Sequence, residues 1–197
     1  MKRRYLILIC FILCSLFLTS CAASQIQSAA PLQTQVSSSG GGSSAPIEYY
    51  FPRAGQHPDQ ELISVINSAS STLDIAIYSL TKKDIVQAIA AAKDRGVAVR
   101  IITDKIESES ASQSKALNTL KADGIPIKIN HHSGLMHMKV TIADNSTVTT
   151  GSYNYTNEAT YENDEVLVII HGPTAAQDFS NEFQSMWSDS KNYVDYK

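Results

Sequence analysis

His137 and Lys139 stand one residue apart in Met136-His137-Met138-Lys139-Val140-Thr141-Ile142, and the chemistry this pair could do is displacement at phosphorus. Residues two apart on a strand share a face, so Met138, Val140 and Ile142 can be buried while His137 and Lys139 project together from the other side, about 7 Å apart. That spacing suits two groups flanking one phosphate. A histidine, with its ordinary pKa of about 6.5, serves near neutral pH as an unprotonated nucleophile or as a protonated acid. Lys139 would supply positive charge to the phosphoryl oxygens. Downstream, Gly151-Ser152-Tyr153-Asn154 offers two uncharged donors, Ser152 and Asn154, for the same oxygens. Donors fixed in advance favour the transition state over the ground state.

Bringing these groups together requires a hairpin. Asp144-Asn145-Ser146 is turn chemistry, and the β-branched Thr147-Val148-Thr149-Thr150 reads as the returning strand. With a two-residue loop at Asn145 and Ser146, Asp144 faces Thr147, Lys139 faces Ser152 and His137 faces Asn154, opposed side chains lying roughly 5 Å apart. A loop one residue longer shifts the register and turns Ser152 and Asn154 to the other face. Asp144 is expected to bond backbone amides near the site rather than to react. Gly151 is expected to permit a close backbone approach, and Tyr153 to point away into the core.

The run His137, Lys139, four residues, Asp144, six residues, Gly151-Ser152-x-Asn154 resembles the HxK(x)4D(x)6GSxN signature of the phospholipase D superfamily at every fixed position. Residues 74–81 and 90–101 also resemble that family's upstream core, so the resemblance runs from residue 47 to the C-terminus. A single copy of the motif is similar to the bacterial single-motif endonucleases. It implies a metal-independent phosphodiesterase without cofactors, working through a covalent phosphohistidine, with His137, Lys139, Ser152 and Asn154 catalytic or substrate-binding. It also implies that Glu165, eleven residues after Asn154, orients the histidine ring. Covalent catalysis needs a second imidazole to protonate the leaving alkoxide and then to activate water. His57, His131, His132 and His171 lie in no repeat of the motif. The second His137 is therefore expected from a homodimer whose two sites merge across a two-fold axis. His131, His132 and His137 complete no recognisable zinc spacing, so no metal is expected.

Lys2-Arg3-Arg4 leads into a fourteen-residue apolar stretch, 5–18, short of the ~20 residues of a membrane span. Residues 1–20 read as a signal peptide. Leu18-Thr19-Ser20-Cys21 resembles the bacterial lipobox, which implies acylation of Cys21 and an exported lipoprotein on a cell-envelope membrane, facing outside the cytoplasm. Cleavage after Ala23 and free secretion is the alternative. Residues 21–46 are rich in Ser, Gly, Gln and Ala without a charged residue, a flexible tether whose reach is on the order of 25 to 30 Å. Cys10 and Cys14 fall in the leader, leaving no thiol for a disulfide.

From residue 47 onward, strand and helix patterns alternate, giving a phospholipase D-like catalytic domain at 47–197. Strands are expected at 47–51, 73–78, 97–103, 125–129 and 166–170, besides the hairpin. Pro58 opens a helix carrying Leu62, Val65 and Ile66, and Thr81-Lys82-Lys83-Asp84 resembles a capping box for one carrying Ile85, Ala88, Ile89 and Ala92. A third helix bears Leu117 and Leu120, and a last one from about Thr174 carries Phe179, Phe183 and Trp187 as a core stripe. The fold class is α/β, a mixed sheet flanked by helices.

Charge disfavours tight polyanion binding. Without Lys2, Arg3 and Arg4, 13 basic residues remain against 19 acidic. Tight duplex binders use clustered Lys and Arg, and no such run is present. Lys82, Lys83, Lys105 and Lys128, with His131 and His132, are candidates for a basic rim, against the simpler reading of scattered surface lysines. Three functions remain open: a membrane-tethered nonspecific endonuclease for DNA or RNA, a phospholipase D-type lipid hydrolase or transferase, and an inactive binding module. Gly134-Leu135-Met136 is the one segment that suggests an interfacial loop.

Overall fold

The computed structural model describes residues 46–197. The expected signal peptide, Cys21 and all but the last residue of the tether lie outside them. Eight strands form one mixed sheet: β1 (Ile47–Tyr50), β2 (Thr72–Ile77), β3 (Ala98–Thr103), β4 (Ile127–Asn130), β5 (Lys139–Ala143), β6 (Thr147–Gly151), β7 (Leu167–His171) and β8 (Tyr193–Asp195). Their order is β1-β7-β6-β5-β2-β3-β4-β8. β2, β3 and β4 run parallel, while the remaining neighbours pair antiparallel.

The period of two along β2 explains why both faces are covered. Ile75 and Ile77 pack with Leu62 and Ile66 of α1 (Pro58–Ser68), Ile85 and Ile89 of α2 (Lys83–Asp94), and Leu117 and Leu120 of α4 (Ala111–Ala122). Ala76, between them, packs on the opposite face with Val140, Val148 and with Phe183 and Met186 of α6 (Pro173–Ser188). Two short helices, α3 (Lys105–Ser108) and α5 (Asn157–Tyr161), lie between strands. The expected class, an α/β mixed sheet flanked by helices, is the one observed.

Three local expectations need correction. Thr81–Asp84 forms no capping box: Lys82 rather than Thr81 occupies the N-cap of α2, and its ammonium, which only donates, cannot accept from the first-turn N–H groups and pairs with Asp59 and Asp84. α5 and β8 were not expected, being too short to show a period. The hairpin loop has three residues rather than two, since Ala143 faces Thr147 and Thr141 faces Thr149. Asp144 and Asn145 both take φ of 51°, Ser146 N–H donates to Ala143 at 3.0 Å, and Ser146 is the extra residue. The cross-strand pairing expected to align Lys139 with Ser152 and His137 with Asn154 is therefore absent.

Candidate active site

Lys139 is the first residue of β5, opposite Ile77, and is only 6% exposed. His137, two residues before it, is exposed between buried Met136 and half-buried Met138. The ammonium of Lys139 stands 3.1 Å from both ring nitrogens of His137 and donates to the His137 carbonyl at 2.9 Å. The neighbouring Tyr78 follows β2 directly: its N–H donates to Met138 at 2.9 Å, its ring centroid is 4.6 Å from that of His137, and the Lys139 Nζ lies 4.9 Å from it. Burial lowers the Lys139 pKa, a shift that the Glu165 carboxylate partly opposes. A desolvated cation beside an accessible imidazole is the arrangement expected around an anionic phosphoryl group.

The approach to His137 is fixed by two buried side chains. Asp104, at the end of β3, accepts from Ile106 and Glu107 N–H at the start of α3 and, through its other oxygen, from Met136 N–H at 2.9 Å. Asn130, at the end of β4, accepts from Lys105 N–H at 2.7 Å and donates to the Gly134 carbonyl at 2.9 Å. The two loops flanking the histidine are thereby tied together.

Ser152 and Asn154 reach their places without cross-strand pairing to β5. β6 ends at Gly151, where φ is +129° and a Cβ would lie 2.1 Å from the Val166 carbonyl oxygen. Only glycine allows this approach. Ser152 and Tyr153 N–H both donate to that carbonyl, at 3.1 and 3.3 Å. The Ser152 hydroxyl donates to Glu165 and accepts from Val166 N–H. Tyr155 is then held by the turn after β2, its N–H donating to Ser79 and its carbonyl accepting from Thr81 and Lys82. Asn154, between these anchors, has a buried Oδ1 without a hydrogen-bond partner among the described residues. Tyr153 is fully buried, as its alternation requires.

Glu165 hydrogen-bonds Ser152 and Asn163, not the His137 ring. Asp144 sits at the far end of β5 from Lys139, bonding the chain at Ser70 to Thr72. It belongs to the strand's other end, not to the site. Of the candidate rim, Lys82 is buried between Asp59 and Asp84, and Lys128 donates to the Trp187 carbonyl. Lys83 and Lys105 are exposed. Among the described residues, no group of three His, Cys, Asp or Glu side chains is placed to hold a metal. Tyr78, Asp104 and Asn130 carried no sequence signal because their contacts bridge distant segments.

The family model described as cardiolipin synthase, PLD-like domain, matches residues 62–187. The chain belongs to this phospholipase D-like family. Its fold matches the crystal structure of Nuc, a phospholipase D family member from Salmonella typhimurium, with a TM-score of 0.71 at 33% identity, covering 77% of this chain and 97% of Nuc. NucT from Helicobacter pylori gives a TM-score of 0.67 at 27% identity, covering 76% of this chain and 98% of NucT. The mitochondrial cardiolipin hydrolase of Chlamydomonas reinhardtii is 28% identical over 64% of this chain and 55% of its own length. A phospholipase D of Rickettsia conorii is 32% identical over 58% of this chain and 56% of its own. The chain thus spans little more than half the length of these two relatives.

Proposed function

We propose that this phospholipase D-like protein is a metal-independent phosphodiesterase that reacts through His137, most simply as an endonuclease on DNA or RNA. Family membership carries the class of reaction, hydrolysis at a phosphodiester bond. The observation that carries the mechanism is the accessible His137 imidazole held against the desolvated Lys139 ammonium. A ring nitrogen attacks phosphorus, forming the N–P bond as the bond to the leaving oxygen breaks. His137 of a second copy protonates that oxygen, then takes a proton from the water that cleaves the N–P bond and releases the phosphomonoester. Lys139 and Asn154 would hold the phosphoryl oxygens, and Ser152 would join them once its one hydroxyl proton leaves Glu165. Glu165 serves by fixing Ser152, and the ring-orienting role implied by the resemblance is not its contact here. The single motif, similar to that of the bacterial single-motif endonucleases, supports the nuclease reading, and the similarity to Nuc, a phospholipase D family member, extends over nearly all of Nuc's length. Lipidated Cys21 would hold the enzyme on a cell-envelope membrane, facing outside the cytoplasm.

The alternative, a phospholipid hydrolase, is favoured by the cardiolipin hydrolases among the relatives and by two exposed apolar side chains, Ile106 of α3 at 65% and Leu135 of the segment before His137 at 48%. Incubation with single-stranded DNA, duplex DNA, RNA, and phosphatidylcholine or cardiolipin vesicles in excess chelator decides between them. The nuclease reading expects nucleic-acid cleavage that persists in chelator and disappears in His137→Asn. Release of phosphatidic acid or of the headgroup, without nucleic-acid cleavage, selects the lipid reading.

A further inference from the structure

We infer that Tyr78 is a positioning residue of this site, its ring holding the His137 imidazole and the Lys139 ammonium against one another. Three groups close on each other: the rings lie 4.6 Å apart at a tilt of 56°, the ammonium is 4.9 Å from the Tyr78 centroid, and it is 3.1 Å from both imidazole nitrogens. An aromatic face attracts a cation through its quadrupole, and the attraction grows as water is excluded. At 6% exposure, Lys139 meets that condition. The Glu165 carboxylate is engaged by Ser152 and Asn163. Among the described residues, the ring contact on the imidazole comes from Tyr78 and its polar side-chain contact from Lys139.

The Tyr78 backbone is tied to the pair its ring touches. Its N–H donates to Met138, within the His137–Lys139 segment itself. Burial, followed by the Glu107 carboxylate of α3, raises the Tyr78 phenol pKa and keeps the hydroxyl neutral. α3 is anchored in turn by Asp104, which also holds Met136 N–H. The charged and titratable groups around the triangle are therefore Glu107 and Asp104 on one side and Glu165 on the other.

The test compares Tyr78→Phe and Tyr78→Leu in the full protein, following turnover of bis(p-nitrophenyl) phosphate across pH and the His137 ring-proton resonances by NMR. Phenylalanine keeps the ring, so kcat should stay within about threefold of wild type. Leucine removes it, so kcat should fall roughly 30- to 100-fold, the scale of a small misplacement of reacting groups, with KM changed less than about threefold. The His137 resonances should move in the leucine protein and not in the phenylalanine protein. Full kcat with leucine, or an equal loss with phenylalanine, overturns the inference. If leucine prevents folding, Tyr78→Met takes its place with the same expectations. The inference rests on the phosphodiesterase reading only for its kinetic arm. If the wild type cleaves no diester, that reading fails, and unmoved resonances in the leucine protein would separately refute the role of Tyr78.

Discussion

Asp144 accepts hydrogen bonds from Ser70 N–H and Oγ, Ser71 N–H and Thr72 N–H at 2.8 to 2.9 Å, tying the β5–β6 turn to the entry of β2. Burial alone would raise its pKa, but these donors outweigh it and the carboxyl lies below its usual range. A depressed carboxylate contributes stability that is fully present above the unfolded pKa of about 3.9 and is lost as pH falls through the folded value. Asp144→Asn should therefore cost about 2 kcal/mol at pH 7, with the gap to wild type narrowing below about pH 4, as read from urea unfolding at both pH values. The backbone-bonding chemistry of Asp144 was legible because an aspartate in a turn satisfies nearby amides, and the close approach at Gly151 because glycine is needed where backbones crowd. Tyr78 was not legible. Its partners lie some 60 residues away and meet it only because β2 pairs with β5.

The strand and helix pattern was legible wherever apolar residues repeat over several turns or along a buried strand, as in α2 and β2. Register was not, because a loop of two or three residues leaves the same apolar pattern in both strands. Ser152 is placed by Val166, just before β7, and Tyr155 by the turn after β2, rather than by β5. That turn is braced by Lys82, 4% exposed, whose ammonium lies 3.4 Å from Asp59 of α1, 3.2 Å from Asp84 of α2 and 3.2 Å from the Tyr161 hydroxyl of α5. Removing one partner of a buried pair leaves the other uncompensated. Lys82→Met should cost about 3 kcal/mol in chemical denaturation, and Asp59, itself 6% exposed, should account for most of it in a double-mutant cycle.

At the scale of the molecule, one motif per chain leaves the proposed reaction one imidazole short, so the enzyme should act as a dimer. Light scattering of the active protein should give twice the chain mass, and activity per chain should fall on dilution below the dissociation constant. A monomer that turns over at full rate would remove the shared-site mechanism and leave the fold untouched. The low count of basic residues is consistent with an enzyme that grips a phosphodiester locally, and its activity should fall less steeply with salt than that of a protein with many phosphate contacts. The central claim is the bond between His137 and phosphorus. The measurement that reaches it most directly is an alkaline quench during turnover of a radiolabelled diester, with peptide mapping of the trapped label. Label on the His137 peptide, absent from His137→Asn, is the predicted result, whereas undiminished turnover in His137→Asn with label elsewhere or nowhere would contradict the account.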